Sequence, residues 1–547
     1  MKSISFKNFR RFADFPEFKF GDITILVGGN NAGKSTLAKS VMLLMDNFKN
    51  TPFLNRDKNK IFNEMLPFRL DANGIHDLKI GTFGRALYYN SEEPKITFGC
   101  TLSTPKGNEE FEILFELTPV NKGTERNLEE EFDTTLARMR TLIIHDKSRD
   151  ITYKALSNES VMILKFGYRG AEVNPELQQL QNAVKEINKR LKSSNDFDNN
   201  SLMAVDSISY INQLKAHRST LKKRINALKK TLKPARKEME VELEYTDTSY
   251  FPDNDQKCST LLSSFIENIA KILKNTVLLE KGKESQSKRK YLKDQLEDIY
   301  ESASMLEWLV LKDKIHYIQA HSVDQRTQYV VYDKNDYMAQ VIHSFASANA
   351  LLGTEGDIFL KRWMKEFEIG EDYRITSRDG EAYTLHILHE DGHDENLADA
   401  GMGTNQLMSI LLQLATLIHQ ERQAGYFSTI IIEEPEQNLH PALQSKLALL
   451  FQELSERYGF YLIIETHSEY LIRLTQVLMA YGPESIDKNS DVDMLEGMKN
   501  IYKPFKVYYF PKEGVPYDME YREDGCFTNE FGTGFFDEAS NLAFKLF

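Results

Sequence analysis

The stretch "TILVGGNNAGKSTLAKSV", Thr24–Val41, decides the fold. The apolar run "DITILV" ends in two glycines, polar residues and Gly-Lys-Ser-Thr follow, and Leu37, Val41 and Leu44 then fall at helical spacing. Strand, loop and helix are expected in that order. Gly28 to Ser35 fits G-x-x-x-x-G-K-[ST] at every position. Glycines let successive backbone N–H groups turn inward around an anion, and the positive end of the helix adds to the attraction. Lys34 is expected to reach the β- and γ-phosphates, and the Ser35 hydroxyl to ligate Mg2+. The nucleotide-binding residues expected here are Gly28, Asn30, Asn31, Ala32, Gly33, Lys34, Ser35 and Thr36, with ATP and Mg2+ as ligands. A chance glycine-rich turn would lack the matching strand and helix on its two sides.

Composition limits what surrounds this loop. The chain has 547 residues, 41% hydrophobic and 27% charged, which suits a soluble globular protein of more than one structural unit. It contains no apolar run of about 18 residues, so no membrane span or membrane partner is expected. The start, "MKSISFKNFRRF", alternates like a strand and lacks an apolar signal core. Cys100, Cys258 and Cys526 stand far apart with no CxxC, which fits a reducing cytoplasm and argues against structural zinc. The net charge of −13 excludes a generally basic nucleic-acid binder and leaves room for a local basic patch.

A P-loop needs an acidic partner at the end of a neighbouring strand. "STIIIEEPEQNLHP" offers one: Thr429 to Ile432 is an apolar strand that ends in Glu433-Glu434. The first carboxylate is expected to hold Mg2+ and the second to polarise the attacking water. The competing reading is a surface pair capping the helix near Pro441. Upstream, in "LADAGMGTNQLMSILLQLATLI", Gly401, Gly403, Thr404 and Gln406 open an apolar helix, a second anion-binding arrangement that alone would pass for an ordinary helix cap. Downstream, "YLIIETHSEYLI" is a third buried strand, ending at Thr466-His467-Ser468. Open α/β sheets place ligand-contacting residues at such strand ends.

The order of these four motifs resembles the ABC-type ATPase heads of the RecF, SMC and OLD families. It comprises Walker A (Gly28–Ser35), a glycine signature (Gly401–Gln406), Walker B (Glu433–Pro441) and "ETHS" (Glu465–Ser468). The resemblance implies an α/β ATPase head built from an N-terminal lobe, 1–170, and a C-terminal lobe, 313–547. It implies nucleotide sandwiched between two heads, the signature of one facing the Walker motifs of the other, in a homodimer or higher oligomer. It makes Glu433 the metal-site acid, Glu434 the catalytic glutamate and His467 the switch histidine near the γ-phosphate. Gly401 stands where the signature usually carries serine, so that contact would fall to backbone N–H groups or Thr404. "KIGTFGRALYYNSEEPKITFG" (Lys79–Gly99) and "EFGTGFFDEASNL" (Glu530–Leu542) resemble segments of stand-alone, defence-associated ATPases, the Septu-like subunits, some of them retron-linked, and the PARIS-like ones.

Residues 171–312 are expected to form a helical insertion. Leu177, Leu180, Val184, Ile187 and Leu191 alternate at steps of three and four, the pattern of a coiled-coil seam. After the polar turn Asn195–Ser201 a second run follows, Ile211, Leu214, Leu221, Ile225, Leu228 and Leu232, interrupted by Arg218. The two read as a short antiparallel hairpin, either projecting or packed on the head. From Lys215 to Lys237 there are ten Lys and Arg and no acid. Lys222, Lys223, Arg224, Lys229 and Lys230 are the nucleic-acid contacts expected of this stripe, against the alternative of an acidic partner or a plain solvated face.

An OLD-type nuclease would carry a TOPRIM domain after the head. The residues beyond Ser468 offer a D-x-D in "NSDVDML" but no apolar strand leading into it. Any nuclease or other effector is therefore expected on a separate subunit. The reading is an ATPase whose nucleotide-dependent dimerisation controls such an effector in antiphage defence. The alternatives are a RecF- or SMC-like DNA maintenance ATPase and a non-hydrolysing ATP-dependent scaffold.

Overall fold

The structure, a computed structural model, describes residues 1–49, 67–71, 80–119, 134–158, 161–170, 235–244, 286–319, 325–333, 336–348, 353–424, 427–482 and 503–532, with scattered residues of 180–225, 260–274 and 535–545. Strands β1 (Ser3–Phe9) and β2 (Phe12–Lys19) form a hairpin, and β3 (Ile23–Gly28) leads through the glycine loop into α1 (Lys34–Lys49). Strands β4 (Pro67–Arg69), β5 (Ile96–Ser103), β6 (Glu110–Pro119), β7 (Leu136–Asp146), β8 (Ile151–Asn158), β9 (Val161–Gly170) and β10 (Ala235–Glu244) follow. Helix α2 (Gln286–Lys312) runs directly into β11 (Asp313–Ile318). Next come β12 (Tyr329–Val330), α3 (Tyr337–Ser347), α4 (Glu355–Glu366), β13 (Asp372–Arg378), β14 (Ala382–Leu388) and β15 (Asp394–Asn396). The chain continues through α5 (Met402–Ala424), β16 (Phe427–Glu433), α6 (Pro441–Tyr458), β17 (Tyr461–Thr466), α7 (Glu469–Tyr481), β18 (Phe505–Phe510) and β19 (Tyr517–Asp518).

Three sheets result. An antiparallel sheet has the order β10-β9-β8-β7-β6-β5-β1-β2, with β4 on β7. A second sheet has the order β11-β16-β17-β3-β18-β19, parallel except for its last pair. A small third sheet, β12-β14-β13 with β15 beside β14, lies in the C-terminal part. The second sheet positions the site. Its strand β3 comes from the N-terminal part and all its other strands from residues 313–518, so the two parts share one α/β sheet. All six residues of β3 are buried, as a parallel strand covered on both faces requires.

The alternation of side chains decides which face each strand end serves. Leu26, Ile431 and Ile463 pack into a core shared with Leu37, Val41 and Leu44 of α1 and with the phenylalanines of the β1–β2 hairpin. Phe6 and Phe15 stack there with ring centroids 4.2 Å apart. Val27, Ile432 and Ile464 belong to the opposite core, with Leu411 of α5 and Leu447 of α6. Glu433 follows Ile431 by two residues, and Glu465 follows Ile463 by two. Both carboxylates therefore leave the sheet on the face covered by α1, whose first turn carries Ser35.

Helix α2 is tied to the antiparallel sheet by polar groups as well as by its apolar side. The Ser302 hydroxyl donates to the fully buried Asp146 carboxylate, which also accepts from Arg149 Nη1 at 3.0 Å.

The insertion differs from the all-helical expectation. Residues 213–225 are helical, but 235–244 form β10, antiparallel to β9. Arg236 and Lys237 thus stand on a strand. The cause is visible in "KEMEVELE", where Met239, Val241 and Leu243 alternate with four glutamates, a two-residue period that outweighs the helix preference of the individual residues. Ile187 and Ile225, one from each apolar seam, are both buried, and Arg218 Nη1 donates to Asn188 Oδ1 at 3.3 Å. Lys222, Lys223 and Arg224 are exposed on the helix, while Lys229 and Lys230 lie outside the described residues.

Candidate functional site

The glycine loop closes tightly at both ends. Gly28 has φ +151°, and a Cβ there would come within 2.3 Å of the Phe510 carbonyl oxygen on β18. Gly33 has φ +103°, and a Cβ would meet the Phe12 ring at 2.4 Å. Only glycine fits either place. Asn31, also left-handed at φ +59°, passes its carbonyl to the Arg11 guanidinium, which donates as well to the Lys512 carbonyl at 2.5 Å. Arg11 thereby straps the loop to the segment after β18.

Beside this loop lies a cavity of about 500 Å³, lined among others by Arg10, Arg11, Asn31 to Thr36, Lys39, Arg85, Tyr89 and Glu465. It opens at the C-terminal end of β3, where open parallel sheets bind ligands. A smaller cavity of about 230 Å³ beside Met1 and Asp313 lies at the opposite strand ends and contains no P-loop group.

Lys34 is buried, and its Nζ donates to the carbonyls of Gly28 at 2.9 Å and Gly29 at 3.1 Å. The same Nζ lies 3.2 Å from His467 Nε2, and His467 Nε2 lies 3.7 Å from Glu434 Oε1. The Ser35 hydroxyl lies 3.0 and 2.9 Å from the two carboxylate oxygens of Glu465, and Lys34 Nζ is 3.8 Å from that carboxylate. Burial pushes the Glu465 pKa up to about 7, against the pull of Lys34 and with a further push from Glu433. Burial likewise lowers the Lys34 pKa, although Glu465 opposes it. Both shifts run towards the neutral forms, so the desolvation of this pair outweighs its mutual attraction. Burial and then the charge of Lys34 lower the pKa of His467, which favours a neutral imidazole able to accept a hydrogen bond.

The loop after β16 is shaped by the same neighbours. Glu434 adopts φ +41°, its backbone N–H donates to the Glu465 carbonyl at 2.7 Å, and its carboxylate accepts from Gln437 Nε2. Glu436 is buried with one carboxylate oxygen accepting from His467 N at 2.6 Å, and burial raises its pKa. Glu433 ends β16 in register with Glu465.

The signature residues stand elsewhere. Gly401, Gly403 and Thr404 lie at the start of α5, and none of them lines the P-loop cavity. Gln406 is buried and turned towards its own chain's Walker B loop, donating to the Glu434 carbonyl at 3.4 Å and accepting from Asn438 Nδ2 at 3.2 Å. A Cβ on Gly403 would sit 2.5 Å from the Asn438 carbonyl oxygen, so close packing already requires glycine there.

The structure brings Lys34, His467 and Glu434 into one line of contacts and sets Ser35 against Glu465; the sequence motifs give no role to Glu465, Gln437 or Arg11. Glu465 carried a usable signal: like Glu433, it is a carboxylate that closes an unbroken apolar strand.

The sequence profile of the AAA ATPase domain, AAA_15, matches residues 1–472. The chain belongs to this family. No curated protein matches the sequence. Among solved structures, the chain is similar to the Smc head domain of Pyrococcus furiosus bound to the C-terminal domain of ScpA, at 8% identity over 100% of this chain and 98% of that one, with a TM-score of 0.33. It is also similar to the SMC head domain from Thermotoga maritima, at 9% identity, 95% and 98% coverage and a TM-score of 0.33. For the recombination mediator protein RecF the figures are 10% identity, 95% and 98% coverage and a TM-score of 0.30. Likenesses this distant carry no argument about the site. Among the described residues no group of three or more His, Cys, Asp or Glu side chains is arranged to hold a metal by itself, and no helix is long and apolar enough to cross a membrane.

Gly403→Ala should leave nucleotide binding to the same chain's P-loop unchanged in the unpaired protein, because Gly403 does not line that cavity. It should lower phosphate release by about 10- to 100-fold, since the added methyl moves Asn438 and with it the Glu434 loop. Phosphate-release kinetics at saturating ATP check this; unchanged turnover would uncouple α5 from Glu434.

Proposed function

We propose that this chain is an ABC-type ATP-binding and ATP-hydrolysing head. Gly28 to Thr36 cradle the phosphates, Glu434 is the catalytic glutamate, and His467 senses the γ-phosphate. One observation carries the reading: Lys34, His467 and Glu434, from three separate chain segments, form one continuous contact line at the C-terminal ends of β3, β17 and β16.

Lys34 has to exchange the carbonyls of Gly28 and Gly29 for phosphate oxygens. Charge drives that exchange, because an ammonium gains more from a phosphate than from two amide dipoles. The Glu434 carboxylate, held by Gln437, faces His467 and can take the proton of an attacking water. Neutral His467 can turn its proton-bearing nitrogen towards the γ-phosphate. The hydroxyl of Ser35 and nearby carboxylates, Glu433 in the motif reading, are hard oxygen donors that suit Mg2+. When bound, Mg2+ supplies positive charge to the β- and γ-oxygens.

The signature face lies apart from its own chain's cavity, which supports a head-to-tail pairing in which Gly401, Gly403 and Thr404 of one copy meet the nucleotide of another. Gln406 takes a different part in this arrangement: it is buried against the Glu434 loop of its own chain. The effector reading, a separate nuclease subunit controlled by this pairing in antiphage defence, rests on the sequence resemblance of Lys79–Gly99 and Glu530–Leu542. A neighbouring nuclease or reverse transcriptase gene whose product co-purifies with the chain supports it. ATPase activity stimulated by DNA ends, with no co-purifying subunit, supports the DNA maintenance reading instead.

Glu434→Gln should bind ATP normally, hydrolyse it about 10²- to 10⁴-fold more slowly and accumulate the paired form, because the amide keeps the shape and loses the base. Lys34→Ala should lose nucleotide binding altogether. Filter binding, phosphate release and light scattering read the two variants; wild-type turnover in Glu434→Gln would move the base elsewhere.

Changing Lys222, Lys223, Arg224, Lys229 and Lys230 together to Gln should leave ATP binding intact. If the helical stripe meets nucleic acid, affinity should fall similarly for all sequences and its salt dependence should flatten, as fewer counterions are released. Unchanged nucleic-acid binding with loss of a co-purifying subunit would assign the stripe to an acidic protein partner.

A further inference from the structure

β17 lies between the P-loop strand β3 and the strand β16 that ends in Glu433-Glu434. Its last two residues, Glu465 and Thr466, stand level with Leu26 and Val27, immediately before the glycine loop. Alternation along β17 turns Glu465 to the α1 face, and there its carboxylate meets the Ser35 hydroxyl at 3.0 and 2.9 Å. We infer that Glu465 is a carboxylate of the Mg2+ site, an oxygen donor that the motif order does not assign. The inference rests on the nucleotide reading of the P-loop.

Three observations carry it. Glu465 lines the P-loop cavity together with Lys34, Ser35 and Thr36, whereas Glu433 and Glu434 do not. Its side chain is 8% exposed and is paired with Lys34 Nζ at 3.8 Å. A buried carboxylate with one long ion pair keeps much of its desolvation cost, which an aliphatic residue at the strand end would not incur. A second cation in the cavity would offset that cost. The Ser35 contact supplies the third observation. A hydroxyl that gives its one proton to a carboxylate keeps two lone pairs for a cation, so Glu465 orients Ser35 as a ligand while adding its own charge. Hydroxyl, carboxylate and phosphate oxygens together make the hard donor set that Mg2+ selects, usually with no more than one or two protein carboxylates.

Such a role predicts opposite effects on metal and on metal-free nucleotide. Mn2+ serves as the spectroscopic probe for the metal, and a fluorescent ADP analogue as the probe for nucleotide. In Glu465→Gln, Mn2+ affinity measured by EPR with ADP present should fall by about tenfold or more. Binding of the ADP analogue in EDTA should stay the same or tighten, because a carboxylate has been removed from beside the phosphates. Glu465→Asp keeps the charge on a shorter arm and should fall between the two, which also serves if the amide variant folds poorly. Glu433→Gln is measured in parallel. Unchanged Mn2+ affinity in Glu465→Gln, with loss confined to Glu433→Gln, would overturn the inference. A wild-type chain that bound no ADP analogue with or without Mn2+ would instead overturn the P-loop reading, and this inference with it.

Discussion

The parallel pairing of β17 with β3 on one side and β16 on the other is the constraint on which the whole site depends. These strands come from opposite ends of the sequence, yet their C-terminal ends lie level in one sheet. That alignment puts the glycine loop, the Glu465-Thr466-His467 turn and the Glu433-Glu434 turn side by side. A slip of one residue along β17 would turn Glu465 to the opposite core and bring Thr466 to the loop, because strand side chains alternate with a period of two. Nothing local prevents such a slip. The apolar faces prevent it: Ile463 fits the α1 side, while Leu462 and Ile464 fit the side of α5 and α6.

Given that register, electrostatics accounts for how the side chains of the loop are held. Lys34 rests on two loop carbonyls and near a neutral His467, and Ser35 rests on Glu465. The polar groups of the loop therefore satisfy one another, and binding exchanges side-chain partners within a loop whose backbone is already fixed by Gly28, Gly33 and Arg11. Helix α5 reaches the same centre from the other side. Gln406 and Gly403 pack against the loop that carries Glu434, which links the α5 N-terminus to that glutamate by contacts within one chain.

Much of this was legible in the sequence, and the reasons for what was missed are physical. The P-loop could be read because its signal is local: a strand, a loop with fixed glycine spacing and a helix. Strands β16 and β17 could be read because runs of consecutive buried residues, "TIII" and "LII", mark strands covered on both faces. The strand end at Glu465 was legible, but its neighbours were not, because they depend on which strand lies beside which, and sheet order is not written in any one segment. Gln406 sits at a helix start with the chemistry for an anion contact, and its side chain is buried against the Glu434 loop, a placement that depends on packing. Strand β10 falls inside the stretch whose apolar seams point to helices, while the alternation in "KEMEVELE" follows the strand period.

Three strand ends from two parts of the chain meet at one site, which we propose hydrolyses nucleotide. The most direct test is a single-turnover experiment on the wild-type protein, with γ-labelled ATP held below the concentration of sites and phosphate release followed with and without Mg2+. Nucleotide should bind to the folded chain, and labelled phosphate should be released only when Mg2+ is present. Nucleotide that binds tightly in Mg2+ and is recovered as intact ATP after prolonged incubation would contradict the proposal.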